Sequence, residues 1–234
     1  MPGMYHYYYD PTYLLVIIGA LICMAASANV SHTYRKYSSM GTARGLASQE
    51  VAAQMLREAG ITDVRIERIA GNLTDHYDPR SKVLRLSDTV YGSSSVAAIG
   101  VAAHECGHAI QDDRSYAPLK IRNSLVPVAN IGTKAAFPII LLGLFFGSSY
   151  TLIQVGLLCF GLGTLFQLVT LPVEFNASAR AVAILGDTHM LSDTELGYTK
   201  KVLSAAAMTY VAAAAASILS LLRLVLLFGG RRRD

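Results

Sequence analysis

Tryptophan is absent from the 234 residues, and charge is scarce. Asp, Glu, Lys and Arg make up 15% of the chain, against about 25% in an average soluble domain. With 53% hydrophobic residues, this balance excludes an ordinary soluble enzyme and points to a membrane protein with a modest aqueous part. At this length, one catalytic unit and a few spans are all that fit. Cysteine is rare. Cys23 and Cys159 lie in apolar stretches and Cys106 lies alone, so no disulfide framework can form. The formal charge of +4 is spread along the chain, with no interleaving of basic and aromatic residues. A nucleic-acid partner is therefore not expected. There is no internal repeat. Met1 to Thr12 contains no Lys or Arg, so the positive start of a cleaved signal peptide is missing.

Long hydrophobic runs are what the chain has instead. Leu14 to Val30 is 17 uncharged residues, near the lower limit for a span. Arg35, Lys36 and Arg44 follow it, which predicts an anchor with its N-terminus outside and the next segment in the cytosol. Tyr5, Tyr7, Tyr8, Tyr9 and Tyr13 would then form an aromatic belt at the outer interface. Val126 to Gly147 is apolar apart from Lys134, with Pro127 and Pro138 as possible bends. Tyr150 to Leu171 is 22 uncharged residues, enough to cross about 30 Å of hydrocarbon. The pair reads as a transmembrane hairpin. The last apolar stretch, Leu203 to Phe228, contains Arg223 and precedes Arg231, Arg232 and Arg233. Outward arginines run against the positive-inside tendency. Either Ala205 to Ser217 packs on the catalytic unit while Ile218 to Phe228 dips into the interface, or the whole stretch spans; spanning is the reading preferred.

The expected organisation is 1–30 as a tyrosine-rich segment and anchor, and 31–125 as the aqueous part. After these come 126–171 as the hairpin, 172–202 as a second aqueous helix and loop, and 203–234 as an apolar helix with a basic tail. Within the aqueous part, Ala47 to Ala59 has helical composition, with Ser48 as N-cap and Gly60 as stop. Val64 to Ile69 and Lys82 to Ser87 alternate like strands. Gly71 to Arg80 between them is turn-rich. The strand Lys82 to Ser87 is the expected place for an extended peptide to add. Twelve Lys and Arg between Arg35 and Arg122 favour the cytosol for this part.

The chemistry sits in His104-Glu105-Cys106-Gly107-His108, an H-E-x-x-H sequence within a predicted helix, Val96 to Gln111. Residues four apart share a helix face, so His104 and His108 can reach one metal. Glu105 is placed to work on a metal-bound water, the arrangement of a zinc hydrolase. Cys106 points to roughly the opposite face and is not taken as a ligand. The surrounding Ala97, Ala98, Gly100, Ala102, Ala103 and Ala109 make a helix that packs tightly on all sides, where two His and a Glu without a job would be costly. A catalytic zinc needs a third protein ligand. His6, His32, His76 and His189 read as surface or loop residues. Glu174 is the only acid between Asp113 and Asp187, opens a second small-residue helix, and is the candidate. Asn-x-Ser/Thr sequons at Asn29, Asn72 and Asn176 are read as chance, since a glycan on Asn176 would block the site.

Ala103 to Gln111, taken with Leu171-Pro172-Val173-Glu174-Phe175-Asn176-Ala177-Ser178, resembles the YugP-type membrane zinc metallopeptidases. The resemblance extends from the first span to Ala207–Tyr210. More distantly the chain is similar to HtpX-type and CAAX-processing gluzincins, which also place a hairpin between H-E-x-x-H and the Glu helix. In those, an Asp four residues after the Glu supports a ligand His. Here Ser178 stands at that position, leaving Asn176 or Ser178 to take over. The resemblance implies a mainly α integral membrane protein, with a zincin-like unit, a small β element and about four transmembrane helices. The expected site is one Zn²⁺ on His104, His108 and Glu174, with Glu105 as general base and acid. Tyr210, His189, Tyr198 and Arg180 are the candidates for stabilising the oxyanion. The expected location is the cell membrane with the site facing the cytosol. The expected partners are membrane-protein or peptide substrates and the bilayer; accessory proteins and self-association stay open. Turnover of damaged membrane proteins would follow by analogy with HtpX. Two rivals stand against this reading. A zinc-binding scaffold without hydrolysis would not need Glu105. A transporter would need more charges in its spans than Lys134 and Arg223.

Overall fold

The apolar runs become four long helices, and the alternating segments become a three-stranded sheet beside them. A computed structural model describes residues 10–147 and 149–229. The elements are α1 (Tyr13–Ser38), α2 (Ser48–Glu58), β1 (Arg65–Ile69), β2 (His76–Asp78), β3 (Val83–Ser87), α3 (Val96–Asp113), α4 (Ala117–Phe145), α5 (Tyr150–Asp187) and α6 (Asp193–Phe228). Tyr5, Tyr7, Tyr8, Tyr9, His6 and Arg231 to Arg233 lie outside the described residues.

The sheet order is β1-β3-β2, with β1 parallel and β2 antiparallel to β3. β3 buries Val83, Leu84, Leu86 and Ser87, as a central strand covered on both faces should. This corrects the expected peptide-capturing strand. The backbone of β3 is paired on both sides, so it offers no edge to a substrate. β1 and β2 are the edges, and the one beside Glu105 is β2, which forms inside the segment read as turn. Tyr77 ties β2 to α3: its hydroxyl donates to Asp112 Oδ2 at 2.9 Å and its N–H to Glu105 Oε2 at 3.0 Å.

Ser48 also needs correction. The N-cap of α2 is Ala47, whose N–H donates to Glu50 Oε2 at 2.9 Å. Ser48 is the first helical residue and its hydroxyl is turned inward to the carbonyl of Val90. Gly60, at φ +78°, ends the helix as expected. Ser95 caps α3 by accepting from the N–H of Ala98 at 3.2 Å. One core joins the sheet to α2, α3 and the inner parts of α5 and α6, through Met55, Leu84, Leu86, Ile99, Ala181 and Leu185.

Four helices, α1, α4, α5 and α6, are long and apolar enough to cross a membrane. Their large apolar side chains face outward: Ile131 is 71% exposed and Leu158 66%. In lipid that costs nothing, since the tails are as apolar as the side chains. α5 runs unbroken through Pro172, so the Glu-bearing segment continues the second arm of the hairpin. α6 is likewise one helix packed along α1. Near its far end Arg223 meets Asp10 at 3.1 Å, and its guanidinium lies 5.1 Å from the centroid of the Tyr13 ring. Arg223, which interrupts the last apolar stretch, is thus paired with the carboxylate of Asp10.

Candidate active site

Two helices come into backbone contact at the motif. A Cβ on Gly107 of α3 would fall 3.0 Å from Ala177 Cα and 2.9 Å from its carbonyl carbon. Gly107 stands between the two motif histidines, and Ala177 stands between Glu174 and Ser178. Close approach here therefore brings both halves of the predicted ligand set together. One ligand atom from each of His104, His108 and Glu174 lies within 4.8 Å of the others. Glu174 Oε2 is 3.2 Å from His104 Nε2 and 3.6 Å from His108 Nε2.

The atoms facing away from this centre are held too. His104 Nδ1 lies 3.0 Å from Ser178 Oγ, and His108 Nδ1 lies 3.0 Å from Gln111 Oε1. The amide of Gln111 donates to the carbonyl of Val173 at 2.8 Å and to Asn176 Oδ1 at 3.0 Å. With its NH₂ facing two acceptors, Gln111 must present oxygen to His108. Neutral His108 then carries its proton on Nδ1 and leaves Nε2 bare towards Glu174, the tautomer a metal ligand requires. Burial pushes the His108 imidazole down, but the carboxylates of Glu174 and Glu105 outweigh it and raise its pKa.

Glu105 is 9% exposed, and the outward amide of β2 holds one of its oxygens. Cys106 faces the other way, with Sγ 3.6 Å from the carbonyl of Ala52; burial and then Glu105 push its thiol pKa up. Two cavities meet at Glu105. An apolar one of about 320 Å³ is walled by Val30 and Tyr34 of α1, Val101 of α3, and Val202, Leu203 and Ala206 of α6. A more polar one of about 230 Å³ contains His76, Tyr77, His108, Arg122 and Asn123. Both are lined by His104, Glu105, Glu174 and Tyr210.

Of the oxyanion candidates, Tyr210 is thus at the site. The other three line neither cavity. Arg180 donates through Nε to Asn176 Oδ1 at 2.8 Å and lies 5.8 Å from the Tyr116 ring centroid. Tyr198 stacks on Tyr37 at 5.0 Å. His189 is exposed in the turn after α5, at φ +50°. Sequence reasoning missed three residues. Gln111 follows His108 by three positions, hence on the same face, and that spacing was the available signal. Arg122 was legible only as the last charge before an apolar run. Tyr77 acts through its backbone, which leaves no sequence signal.

Two imidazoles and one carboxylate, with both outer ring nitrogens hydrogen-bonded, are a donor set suited to zinc. Comparison with known proteins agrees. The family model described as "Putative neutral zinc metallopeptidase" matches residues 12–229. The "Putative membrane protease YugP" of Bacillus subtilis (strain 168) is 42% identical over 217 residues, which cover 92% of this chain and 96% of that protein. No solved structure matches the chain. With a family match over nearly its whole length, and four helices able to span a membrane, the chain belongs to the neutral zinc metallopeptidases of this membrane-protease family.

Proposed function

We propose that the protein is a membrane-embedded zinc endopeptidase that cuts membrane-associated proteins close to the cytosolic face of the bilayer. The observation that carries this is the meeting of His104, His108 and Glu174 beside Glu105, with Glu174 on the helix that continues the second arm of the hairpin. His104, His108 and Glu174 would hold the zinc, which supplies a Lewis acid and makes a nucleophile of water near neutral pH. Glu105 accepts the proton of the attacking water and returns it to the leaving amine. The N–H of Tyr77 fixes one Glu105 oxygen and leaves the other for this transfer. Tyr210 lines both cavities at Glu105 and is the side chain of choice to donate to the carbonyl oxygen. An extended substrate would lie beside the edge strand β2 and not on β3.

Glu174 lies three residues beyond Leu171, about 5 Å along the helix axis, which supports a site at the membrane surface. Four crossings would leave the start of α1 and the end of α6 on one side, the outer one in this reading, and the contact of Asp10 with Arg223 is compatible with that. The twelve Lys and Arg from Arg35 to Arg122 support the cytosol for the catalytic unit.

Glu105→Gln decides the chemistry. The variant should bind zinc as the wild type does and lose peptide cleavage by roughly 10²–10⁴-fold, the usual worth of a general base. Equal behaviour of the two proteins, with no Glu105-dependent cleavage of any peptide, would leave a zinc-binding scaffold.

A further inference from the structure

Arg122 is the cation of the polar cavity that no other side chain neutralises at hydrogen-bond distance. It belongs to the first turns of α4, five residues before Pro127, where that helix enters its apolar stretch. Its Nη1 lies 3.7 Å from Glu174 Oε1. That is ion-pair range but too long for a hydrogen bond. Its Nε is buried without an acceptor. A guanidinium carries five N–H donors, and among the described residues this one long ion pair is the only partner Arg122 has. Leaving such a group under-satisfied beside an apolar helix is unfavourable unless a ligand completes it. Burial of the side chain is also partial: 28% of it is exposed, and it lines the cavity that Glu105, His108 and Tyr210 line too.

The side of the site it occupies also matters. Glu174 turns Oε2 to the two histidines and Oε1 to Arg122. The guanidinium therefore stands next to the ligand set while its remaining donors stay free for a substrate oxygen. Glu105, the group that handles the proton, lines the same cavity.

Building on the peptidase reading above, we propose that Arg122 is a further catalytic residue, which donates to the oxygen of the scissile carbonyl as negative charge develops there. The water oxygen bonds to the carbonyl carbon, the C=O π pair moves onto that oxygen, and Glu105 takes the water proton. When the tetrahedral centre collapses, the C–N bond breaks and the amine leaves with the proton from Glu105. Arg122 exchanges no proton; it offers fixed positive charge in a site sheltered from bulk water, where such a donor is most effective.

The test uses the full-length protein in lipid nanodiscs, a fluorogenic peptide mixture, and zinc retention against a competing chelator. Arg122→Gln should lower kcat by about 10²–10³-fold, as loss of one oxyanion donor does. KM should stay within a few-fold, and the chelator midpoint should not move. Arg122→Lys keeps the charge without the fork and should lose less. Methylguanidinium should restore part of the activity of Arg122→Ala. Wild-type kcat in Arg122→Gln would overturn the proposal. So would an activity loss matched by loss of zinc, because Arg122 would then only anchor Glu174. If Arg122→Gln misfolds, Arg122→Lys carries the test, and wild-type kcat there with no methylguanidinium rescue of Arg122→Ala would overturn it equally. Absence of any cleavage by the wild type would instead refute the peptidase reading itself.

Discussion

Gly107→Ala is the sharpest perturbation available, because two effects of known sign oppose each other there. Alanine is the better helix former by about 1 kcal/mol, so on an isolated helix the change would stabilise. In the fold, the new methyl lands on the carbonyl group of Ala177, 2.9 Å from its carbon. Carbon atoms pack at about 3.5–4.0 Å, so α3 and α5 must part by at least ~0.6 Å. The obstructing atoms are backbone, so no rotamer change relieves the clash. Overpacking of this kind typically costs about 1–3 kcal/mol, which leaves a net loss of roughly 0–2 kcal/mol. The fold should survive that. The site should not, since the separation carries His104 and His108 away from Glu174, and metal sites tolerate only about ±0.2 Å. The expected result is a folded protein, melting within several degrees of wild type, with zinc affinity down at least tenfold and cleavage lost in proportion. Gly100→Ala is the control on the same helix. Its methyl would meet only the Cγ2 of Thr199 at 3.2 Å, a side chain able to shift by a few tenths of an ångström, and it should keep its zinc. Full zinc occupancy and normal cleavage in Gly107→Ala would refute the claim that this contact sets the ligand geometry.

Gln111→Leu removes the acceptor for His108 Nδ1, the side-chain donor to Val173 O, and one of the two donors to Asn176 Oδ1, the other being Arg180. Zinc affinity should fall about 10–100-fold, the usual effect of an outer-shell loss; an unchanged chelator midpoint would show that the tautomer is fixed some other way. The raised pKa of His108, above its usual 6.5, makes a sign prediction for the metal-free protein. Protonated His108 stabilises that fold below pH 6.5, and the contribution is lost as pH rises through the raised value. The melting temperature of chelated protein should therefore fall from pH 6 to pH 8, while that of zinc-loaded protein rises, because metal binding needs the neutral ring; parallel trends would count against His108 as a ligand. For topology, Ser81→Cys and Ser149→Cys in a Cys-free background should react with an impermeant thiol reagent from opposite sides, Ser149→Cys from outside. Labelling of both from one side would mean that α4 and α5 do not cross the bilayer.

The fold was legible where local pattern and structure share a cause. An apolar run long enough to span becomes a helix in any tertiary context, and alternation over six residues put β1 and β3 within a residue of their observed starts. The ligand set was legible because H-E-x-x-H encodes its geometry in four residues and because Glu174 is a lone acid in an apolar region. β2 was hidden: its three residues sit among Gly, Asn, Asp and Pro, and pairing with β3 and Glu105 makes the strand. Ser48 shows the opposite failure, a residue with capping chemistry whose hydroxyl a tertiary contact with Val90 claims instead. Arg223 reads from sequence only as an interruption of the last apolar run, because its partner, Asp10, lies 213 positions away.

Ser178 carries that lesson into the site. The distant resemblance to gluzincins creates the expectation of an Asp at this position in support of a ligand His, so a serine reads from sequence as a gap in the support of the site. The structure closes the gap through backbone distance. With Gly107 and Ala177 in contact, α5 lies so near α3 that a hydroxyl reaches His104 Nδ1 at 3.0 Å. The other histidine is held from its own helix, by Gln111, which Asn176 and in turn Arg180 keep in place. The work of one carboxylate is thus divided between Ser178 and a chain of amides. Neither is recognisable until the two helices are seen to touch, and that contact depends on a glycine in the middle of the motif.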